Sequence, residues 1–437
     1  MGGVTLLCAG GIFAWIVLAS AHKSTLRDAG GVGLAGNGDE YLARAADCVA
    51  CHSIPGGKGF AGGLKMGTPV GAIYSTNITP DLETGIGSYS LAEFDLAVRY
   101  GIAKDGHRLY PAMPYPSYVK LADADVVALY RFFMKQVPPI HQVNLKSEIP
   151  ALLGVRWPVA FWNFFFAPSA GYVAKPDHDA VWNRGAYLVQ GPGHCGACHT
   201  PRGIGMQEKA LDESSANFLA GAELDAWYAP SLRGDLRTGL GSWSTRDIGE
   251  FLLHGHNRVG SAFGSMTDVI NNSTSYFSDS DIQAIAVYLK SLPAKSAQQA
   301  FAYDNATTDM LRNSPNSEPG AAIFASDCAS CHGFDAKGFA ALMPALAGNP
   351  VVLDENPSSL INVVLNGSVP LVTKGTPAAY RMPQFRQQLS DQDAADVITF
   401  MRNRWGNQAP AVSAAQVAKL RKSTNPTSDR LIILKMR

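Results

Sequence analysis

The chain has 437 residues with 36 basic and 36 acidic side chains, so its formal net charge is zero. This balance gives no indication of a nucleic-acid-binding protein, which would show a basic face. The length favours about three domains, and the 43 glycines and 26 prolines are typical of compact, loop-rich domains.

The chain begins with an apolar segment. Val4–Leu18 carries no charge, and Ala19–Ala21 resembles a signal-peptide cleavage site. No Lys or Arg precedes the run, which is also just long enough for a short membrane span. We therefore predict that residues 1–34 are a signal peptide or a membrane anchor with a spacer. Both alternatives place the rest of the chain in the periplasm.

Three Cys-x-x-Cys-His motifs follow, at Cys48–His52, Cys195–His199 and Cys328–His332, and they contain six of the seven cysteines. This motif is the attachment signature of c-type haem, with two thioether bonds and a proximal histidine under the iron. Zinc sites need paired Cys-x-x-Cys units, and thioredoxin-type redox centres do not need the histidine. We predict three covalent haems, with thioethers from Cys48, Cys51, Cys195, Cys198, Cys328 and Cys331 and iron ligation by His52, His199 and His332.

Two other elements repeat along the chain. The segment Thr84–Ser90 recurs as Thr238–Ser244, and Ser90 and Ser244 are predicted N-caps of the helices that follow. An Asp-x-Asp element occurs three times and predicts a helix with acidic residues in its first turn and one apolar face. Its copies lie at Leu121–Asp125, Phe277–Asp281 and Leu389–Asp393, and the aligned apolar positions are Leu129, Ile285 and Val397, then Phe132, Tyr288 and Phe400.

A short helix is predicted before each motif, at Tyr41–Leu42, Tyr187–Leu188 and Ile323–Phe324. Each unit then reads as helix, haem turn, long loop and C-terminal helix, which resembles the class I cytochrome c fold. We predict a mainly α protein with three tandem class I cytochrome c-like domains, long loops and an N-terminal apolar segment. The predicted segments are 1–34, domain 1 at 35–140, an aromatic-rich linker at 141–180, domain 2 at 181–297, a linker at 298–317, domain 3 at 318–405 and a basic tail at 406–437.

The sixth iron ligands are predicted from three loop methionines. Met113, Met266 and Met382 each precede an Asp-x-Asp helix, as the methionine ligand of a class I cytochrome c does. The rival candidates are Met66, Met206 and Met343.

Two prolines are predicted to orient the proximal histidines. Ala229–Gly234 and Met343–Gly348 share a proline, and the carbonyls of Pro230 and Pro344 are predicted to accept the imidazole N–H. Thr76 occupies the corresponding place in the first unit, so a differently tuned imidazole is expected there. His194, just before Cys195, is expected to face the surface or a haem propionate.

Several segments together resemble a known family. Tyr41–His52, Tyr74–Pro80, Tyr110–Pro116, Gly191–Gly203 and Leu346–Val352 resemble the triple-haem cytochrome c subunits of membrane-bound periplasmic dehydrogenases of acetic acid bacteria. The resemblance covers about residues 38 to 422. It implies the haem ligands already assigned, from Cys48 through Met382.

The resemblance implies a non-catalytic electron-transfer subunit with no catalytic residues of its own. Electrons would pass from a dehydrogenase catalytic subunit to ubiquinone at the periplasmic face of the bacterial cytoplasmic membrane. The resemblance leaves open whether a small third subunit is also present in the complex. An aldehyde substrate is slightly preferred over an alcohol, because alcohol-type subunits run on past the position of Arg437 and have a basic leader. The alternatives are a multihaem enzyme with one open haem, such as a peroxidase-like protein, and an independent carrier to a terminal oxidase.

The linker and the tail suggest contact surfaces. Val155–Phe166 is too short to span a bilayer but is rich in the aromatic residues that favour a membrane interface. Its alternative role is a linker packed between domains. A quinone site near it is a further hypothesis. The basic tail is expected to be solvated rather than bound to an acidic partner or to lipid.

Overall fold

The structure is a computed structural model that describes residues 23–24, 26 and 38–426, except 69, 152–153, 225, 340–341 and 374–379. The predicted apolar segment lies outside these residues. The described chain is mainly helical and divides into two compact units, one up to Ala197 with Arg202–Leu211, the other formed by Cys198–Pro201 and the chain from Asp212. The three predicted domains divide the chain more finely than these two units, and the predicted domain boundaries stay a prediction. None of the helices in the described part is long and apolar enough to cross a membrane.

The first unit contains the first Cys-x-x-Cys-His motif. Its helices are Asp39–Ala45 (α1), Cys48–His52 (α2), Leu91–Tyr100 (α3), Tyr115–Tyr118 (α4), Asp123–Lys135 (α5), Pro158–Phe166 (α6) and Ala180–Gln190 (α7), with strands Lys65–Thr68 (β1) and Gly71–Tyr74 (β2). The strands form an antiparallel ribbon with Lys65 opposite Tyr74. Helix α1 packs against α5, and α3 packs against both α4 and α5.

A buried ion pair joins α3 to the start of α5. Arg99 contacts Asp95 one turn earlier on α3, and its Nη1 lies 2.7 Å from Asp123 Oδ1. The guanidinium and Asp95 are both buried, so each neutralises a charge that would be costly alone. This pair fixes where α5 begins relative to α3.

The second unit contains the third motif. Its helices are Thr245–His254 (α9), Ser265–Asn272 (α10), Asp279–Ser291 (α11), Ala306–Asn313 (α12), Pro319–Ile323 (α13), Ala329–His332 (α14), Pro350–Leu353 (α15), Ser358–Asn366 (α16), Asp391–Arg402 (α17) and Ala414–Ser423 (α18); Gly196–His199 (α8) lies between α7 and α9 in the chain. Strands Ala222–Leu224 (β3) and Trp227–Ala229 (β4) pair antiparallel. Helix α17 packs against α13 and α18, while α9 packs against α11.

The repeated sequence elements form the helices that they predict. Ser90 and Ser244 cap α3 and α9 through reciprocal side-chain and backbone hydrogen bonds with Glu93 and Asp247. The three Asp-x-Asp elements begin α5, α11 and α17. Their aligned apolar residues are all buried: Leu129, Ile285 and Val397, and likewise Phe132, Tyr288 and Phe400. These predictions are confirmed, because capping and helical periodicity are local properties of the sequence.

A cap variant tests how much these motifs stabilise the fold. Ser390 caps α17 by accepting from Asp393 N at 3.1 Å, while Ser390 N donates to Asp393 Oδ2 at 3.0 Å. We expect Ser390→Ala to lower the free energy of unfolding by about 1 kcal/mol, because the Asp393 amide loses the hydroxyl that accepts its hydrogen bond and the Asp393 carboxylate loses a hydroxyl donor. Chemical denaturation followed by circular dichroism measures the change. Ser169→Ala, at an exposed serine outside any helix, is the control and should leave stability unchanged.

Candidate haem sites

Each Cys-x-x-Cys-His motif contains a short helical turn: α2 spans the whole first motif, and Cys195 and Cys328 directly precede α8 and α14. In a helical turn, residues three and four apart lie on one face, which brings both thiols and the histidine to the same side. The six motif cysteines are thiols rather than disulfides. A five-residue π-helical segment, Phe324–Cys328, leads into the third turn. The turns therefore have the local geometry that thioether attachment of a porphyrin requires.

Each motif histidine donates its Nδ1–H to one backbone carbonyl. His199 Nδ1 lies 2.7 Å from Pro230 O, and His332 Nδ1 lies 2.9 Å from Pro344 O. Both contacts were predicted, and both are confirmed. A carbonyl can only accept, so the proton is on Nδ1 and Nε2 is the nitrogen left for a metal.

The first motif uses the same device with a different residue. His52 Nδ1 lies 2.7 Å from the carbonyl of Thr76, the residue aligned with Pro230. The predicted departure is therefore limited to residue type, because a backbone carbonyl accepts equally from threonine and proline. The three imidazoles are oriented alike.

Burial sets the protonation of these groups. It lowers the pKa of His52 and of His199, so both imidazoles are neutral at pH 7, the form that binds metal. Burial raises the pKa of Cys48 and of Cys328 to about 12, and the carboxylates of Asp47 and Asp327 add to the rise. These thiols stay protonated, unlike the thiolates of a zinc or redox-exchange site.

The predicted methionine ligands have different local settings. Met113 lies in the turn before α4, and Met382 lies in the loop before α17, packed against the core of the third motif's domain. Met266 is in helix α10 rather than in a loop, because Gly264, with φ +57°, lets the helix begin just before it. Met266 packs against the small cluster of Ala262, Ile270 and Leu371. Ligation of iron by all three methionines stays a prediction.

The rival methionines are placed differently. Met206 is half-exposed in a left-handed conformation at the tip of a loop, and Met66 lies on the edge ribbon in β1. Met343 pairs its backbone with Phe339 in an isolated bridge. None of these positions is a turn leading into an Asp-x-Asp helix.

Three buried donors, two of them close in the chain to predicted ligands, fit an anionic cofactor. In the part of the chain that the structure describes, the Tyr110 hydroxyl, Trp243 Nε1 and Thr267 Oγ1 are buried without a hydrogen-bond partner. Buried donors are normally satisfied, so each calls for an acceptor. Tyr110 is three residues from Met113, and Thr267 follows Met266. Haem carries two propionates and supplies such acceptors, so the residues present fit the group.

His194 takes up a role that the sequence did not indicate. Its imidazole hydrogen-bonds to the backbone of Ala46 and packs edge-on against Tyr118, with ring centroids 5.5 Å apart. The Tyr118 hydroxyl donates to the same Ala46 carbonyl at 2.7 Å. His194 is therefore half-buried against Ala46 and Tyr118, and the expected role at the surface or at a haem propionate stays a prediction. Because His194 directly precedes Cys195, its hydrogen bond to Ala46 connects the start of the second motif to the turn before Cys48.

Helix α6 divides the aromatic-rich segment into two faces. Val159, Ala160 and Asn163 are buried, and Asn163 accepts from the Tyr115 hydroxyl at 2.6 Å. The C-terminal end of the helix exposes Phe164, Phe165 and Phe166, while Trp157 just before the helix is 53% exposed. The segment is thus both packed and exposed. It can serve as a packed linker and as a membrane-interface segment at the same time.

Comparison with known proteins identifies relatives of the whole described body. The cytochrome c family profile matches residues 317–405, which include the third motif. The gluconate 2-dehydrogenase cytochrome c subunit of Pantoea cypripedii is 52% identical over 390 residues, covering 88% of each chain. The cytochrome c subunit of the quinone alcohol dehydrogenase of Komagataeibacter europaeus is 50% identical, covering 89% of this chain and 84% of its own.

A more distant relative has the same kind of role. The fructose dehydrogenase cytochrome subunit of Gluconobacter japonicus is 36% identical over 425 residues, covering 92% of this chain and 84% of its own. Similarity at this level extends across all three motifs. The chain belongs to the family of cytochrome c subunits of dehydrogenases, which carry covalently bound haem c and transfer electrons.

Proposed function

We propose that this chain is a triple-haem subunit that passes electrons from a dehydrogenase catalytic subunit to ubiquinone at the periplasmic face of the cytoplasmic membrane. The observation that carries the proposal is the repetition of one arrangement at His52, His199 and His332. Each imidazole is anchored through Nδ1 to a backbone carbonyl and lies one residue after a cysteine pair.

The residues have distinct roles in this proposal. Haem, when bound, supplies one-electron iron chemistry. The six cysteines hold the porphyrin covalently, and the neutral histidines ligate on one side. Met113, Met266 and Met382 close the other side, which favours ferrous iron and leaves no position for a substrate.

The electron donor is proposed from the relatives. Their names link such subunits to dehydrogenases acting on gluconate, an alcohol or fructose. A catalytic subunit binding one such substrate, or an aldehyde, is therefore the proposed partner, and the aldehyde preference stays a prediction. Purification of the chain from solubilised membranes should recover a dehydrogenase subunit in constant proportion. Recovery of this cytochrome alone, bound to a terminal oxidase, would favour the independent carrier instead.

Exposed apolar residues of the first unit support a proposal for the surface that contacts the membrane. Phe165 is 66% exposed, and Ile204, on a loop that α6 contacts, is fully exposed. Trp162 Nε1 donates to Gly205 O at 2.7 Å, which joins the helix and the loop into one apolar patch formed by Trp157, Phe164–Phe166, Ile204 and Met206. Exposed apolar patches rich in aromatic residues are typical of membrane-contact surfaces. We propose that this apolar patch lies on the lipid surface, where ubiquinone is dissolved.

Carbon monoxide binding separates an electron-transfer subunit from a haem enzyme. The reduced wild-type protein should not bind carbon monoxide rapidly, because all sixth positions are filled by methionine sulfur. Met382→Ala should create one reactive haem out of three, measured by the change in the visible spectrum. Met401→Leu, a buried methionine of α17, is the matched control and should create none. Rapid binding by the wild type at one haem would support the enzyme alternative.

Vesicle binding tests the apolar patch. We expect the double variant Trp157→Ala, Phe165→Ala to bind phosphatidylglycerol–phosphatidylethanolamine vesicles at least about tenfold more weakly, since burying one large aromatic side chain contributes about 1.5–3 kcal/mol. Reduction of ubiquinone in those vesicles should fall in parallel. Val173→Ala, at an exposed apolar residue outside the patch, should change neither. Unchanged vesicle binding and quinone reduction in the double variant would remove the patch from the proposal.

A further inference from the structure

A small hairpin follows the second haem motif. Its ends, Arg202 and Glu208, pair in an isolated antiparallel bridge, and Gly203 N donates to Gln207 O at 2.8 Å. The tip carries Ile204 and Met206 of the apolar patch. Met206 has φ +61°, a conformation that an L side chain rarely adopts. The backbone pairing at the base of the hairpin keeps the apolar tip exposed to solvent. Trp162 Nε1 also donates a hydrogen bond to the tip at Gly205 O.

Arg202 connects this hairpin to the haem motif. Its guanidinium donates to the carbonyl of Ala197, which lies between Cys195 and Cys198, and to Met206 O at 3.3 Å. The same group lies 4.0 Å from the carboxylate of Glu208. One cation therefore contacts the haem-attachment turn, the exposed tip and an acidic side chain.

Glu208 is a buried carboxyl with few charges around it. Its side chain is only 7% exposed. Burial raises its pKa to about 7, against the opposing attraction of Arg202 on its own hairpin and Lys120 on the segment between α4 and α5. Lys120 is itself buried, and its Nζ donates to Gln190 at 2.8 Å. Among the described residues, these two cations are the charged groups that act on Glu208.

We propose that Glu208 is the residue that delivers protons to ubiquinone as it is reduced at the apolar tip of this hairpin. The inference rests on the proposed function, because it requires ubiquinone as the acceptor. Ubiquinone takes up two electrons and two protons to become ubiquinol. The haems supply the electrons singly; the Glu208 carboxyl gives up a proton, becomes a carboxylate and recovers a proton from solvent for the second transfer.

The position of Glu208 suits this role. A carboxyl that is half-protonated near neutral pH can both give and regain a proton at small cost. Its contact with Arg202 places it in the same electrostatic network as the second haem turn, so the arrival of an electron there favours protonation of the carboxyl. A hydrophobic quinone would contact the exposed apolar tip of the same hairpin, formed by Ile204 and Met206.

The test compares two oxidants of the same protein. The full-length haem-loaded chain is reduced with dithionite and mixed in a stopped-flow instrument with ubiquinone-1 or with ferricyanide, which accepts an electron and no proton. We expect Glu208→Gln to slow reoxidation by ubiquinone-1 about a hundredfold, the lower end of general-acid contributions. Reoxidation by ferricyanide should be unchanged. Glu83→Gln, at a largely exposed glutamate, is the matched control.

The rate of reoxidation by ubiquinone-1 should depend on pH in a definite direction. Below pH 7 the wild-type carboxyl is protonated and the ubiquinone-1 rate should be high; the rate should fall as the pH rises through about 7. The Glu208→Gln protein should lack this fall. Arg202→Gln removes a cation that holds the pKa of Glu208 down, so its fall should move to higher pH. If Glu208→Gln does not fold, the pH profile of Arg202→Gln still tests the role of Glu208.

The outcomes distinguish the inference from the proposed function. A wild-type protein that reduces ferricyanide but never ubiquinone-1 would overturn ubiquinone as the acceptor, and the role of Glu208 with it. Wild-type ubiquinone reduction that Glu208→Gln leaves unaltered in rate and pH profile would overturn the inference alone. Equal slowing with both oxidants would make Glu208 a structural residue and overturn it too.

Discussion

The hydrogen bond between each motif imidazole and a backbone carbonyl is the constraint on which the rest of the structure depends. A carbonyl cannot donate, so it fixes the proton on Nδ1 of His52, His199 and His332 and directs Nε2 away from the chain. The acceptor lies 24, 31 and 12 residues further along the chain for His52, His199 and His332. Each loop must therefore return to its cysteine turn before that turn has the right geometry, and burial of the neutral imidazole follows from the same closure.

The sequence was sufficient for features that depend on neighbouring residues. The serine caps of α3 and α9 and the apolar faces of the Asp-x-Asp helices follow from helix periodicity and the need to satisfy terminal amides. The carbonyl acceptors of Pro230 and Pro344 were also predictable, because an internal repeat marked them as equivalent positions. Thr76 shows the limit of that reasoning, since the backbone performs the function and the residue type is incidental.

Features made by contacts between distant segments could not be predicted in this way. The hairpin from Arg202 to Glu208 carries no repeat and no periodic pattern, and the burial of Glu208 depends on how Lys120 and the hairpin pack. Helix α6 was recognisable as aromatic, but its buried face is set by Tyr115 and Gly205. The start of α10 at Ser265 likewise depends on the positive φ of Gly264, which a glycine permits without requiring.

The Ala46 carbonyl accepts from Tyr118 and also bonds to His194, which ties the turn before Cys48 to the residue before Cys195. An oxygen shared in this manner resists rotation of either strand of chain, since turning one breaks the geometry of the other. Within the first unit, this shared oxygen holds Tyr118, Ala46 and His194 together, so motion of the surrounding loops does not separate the chain before Cys48 from the chain before Cys195.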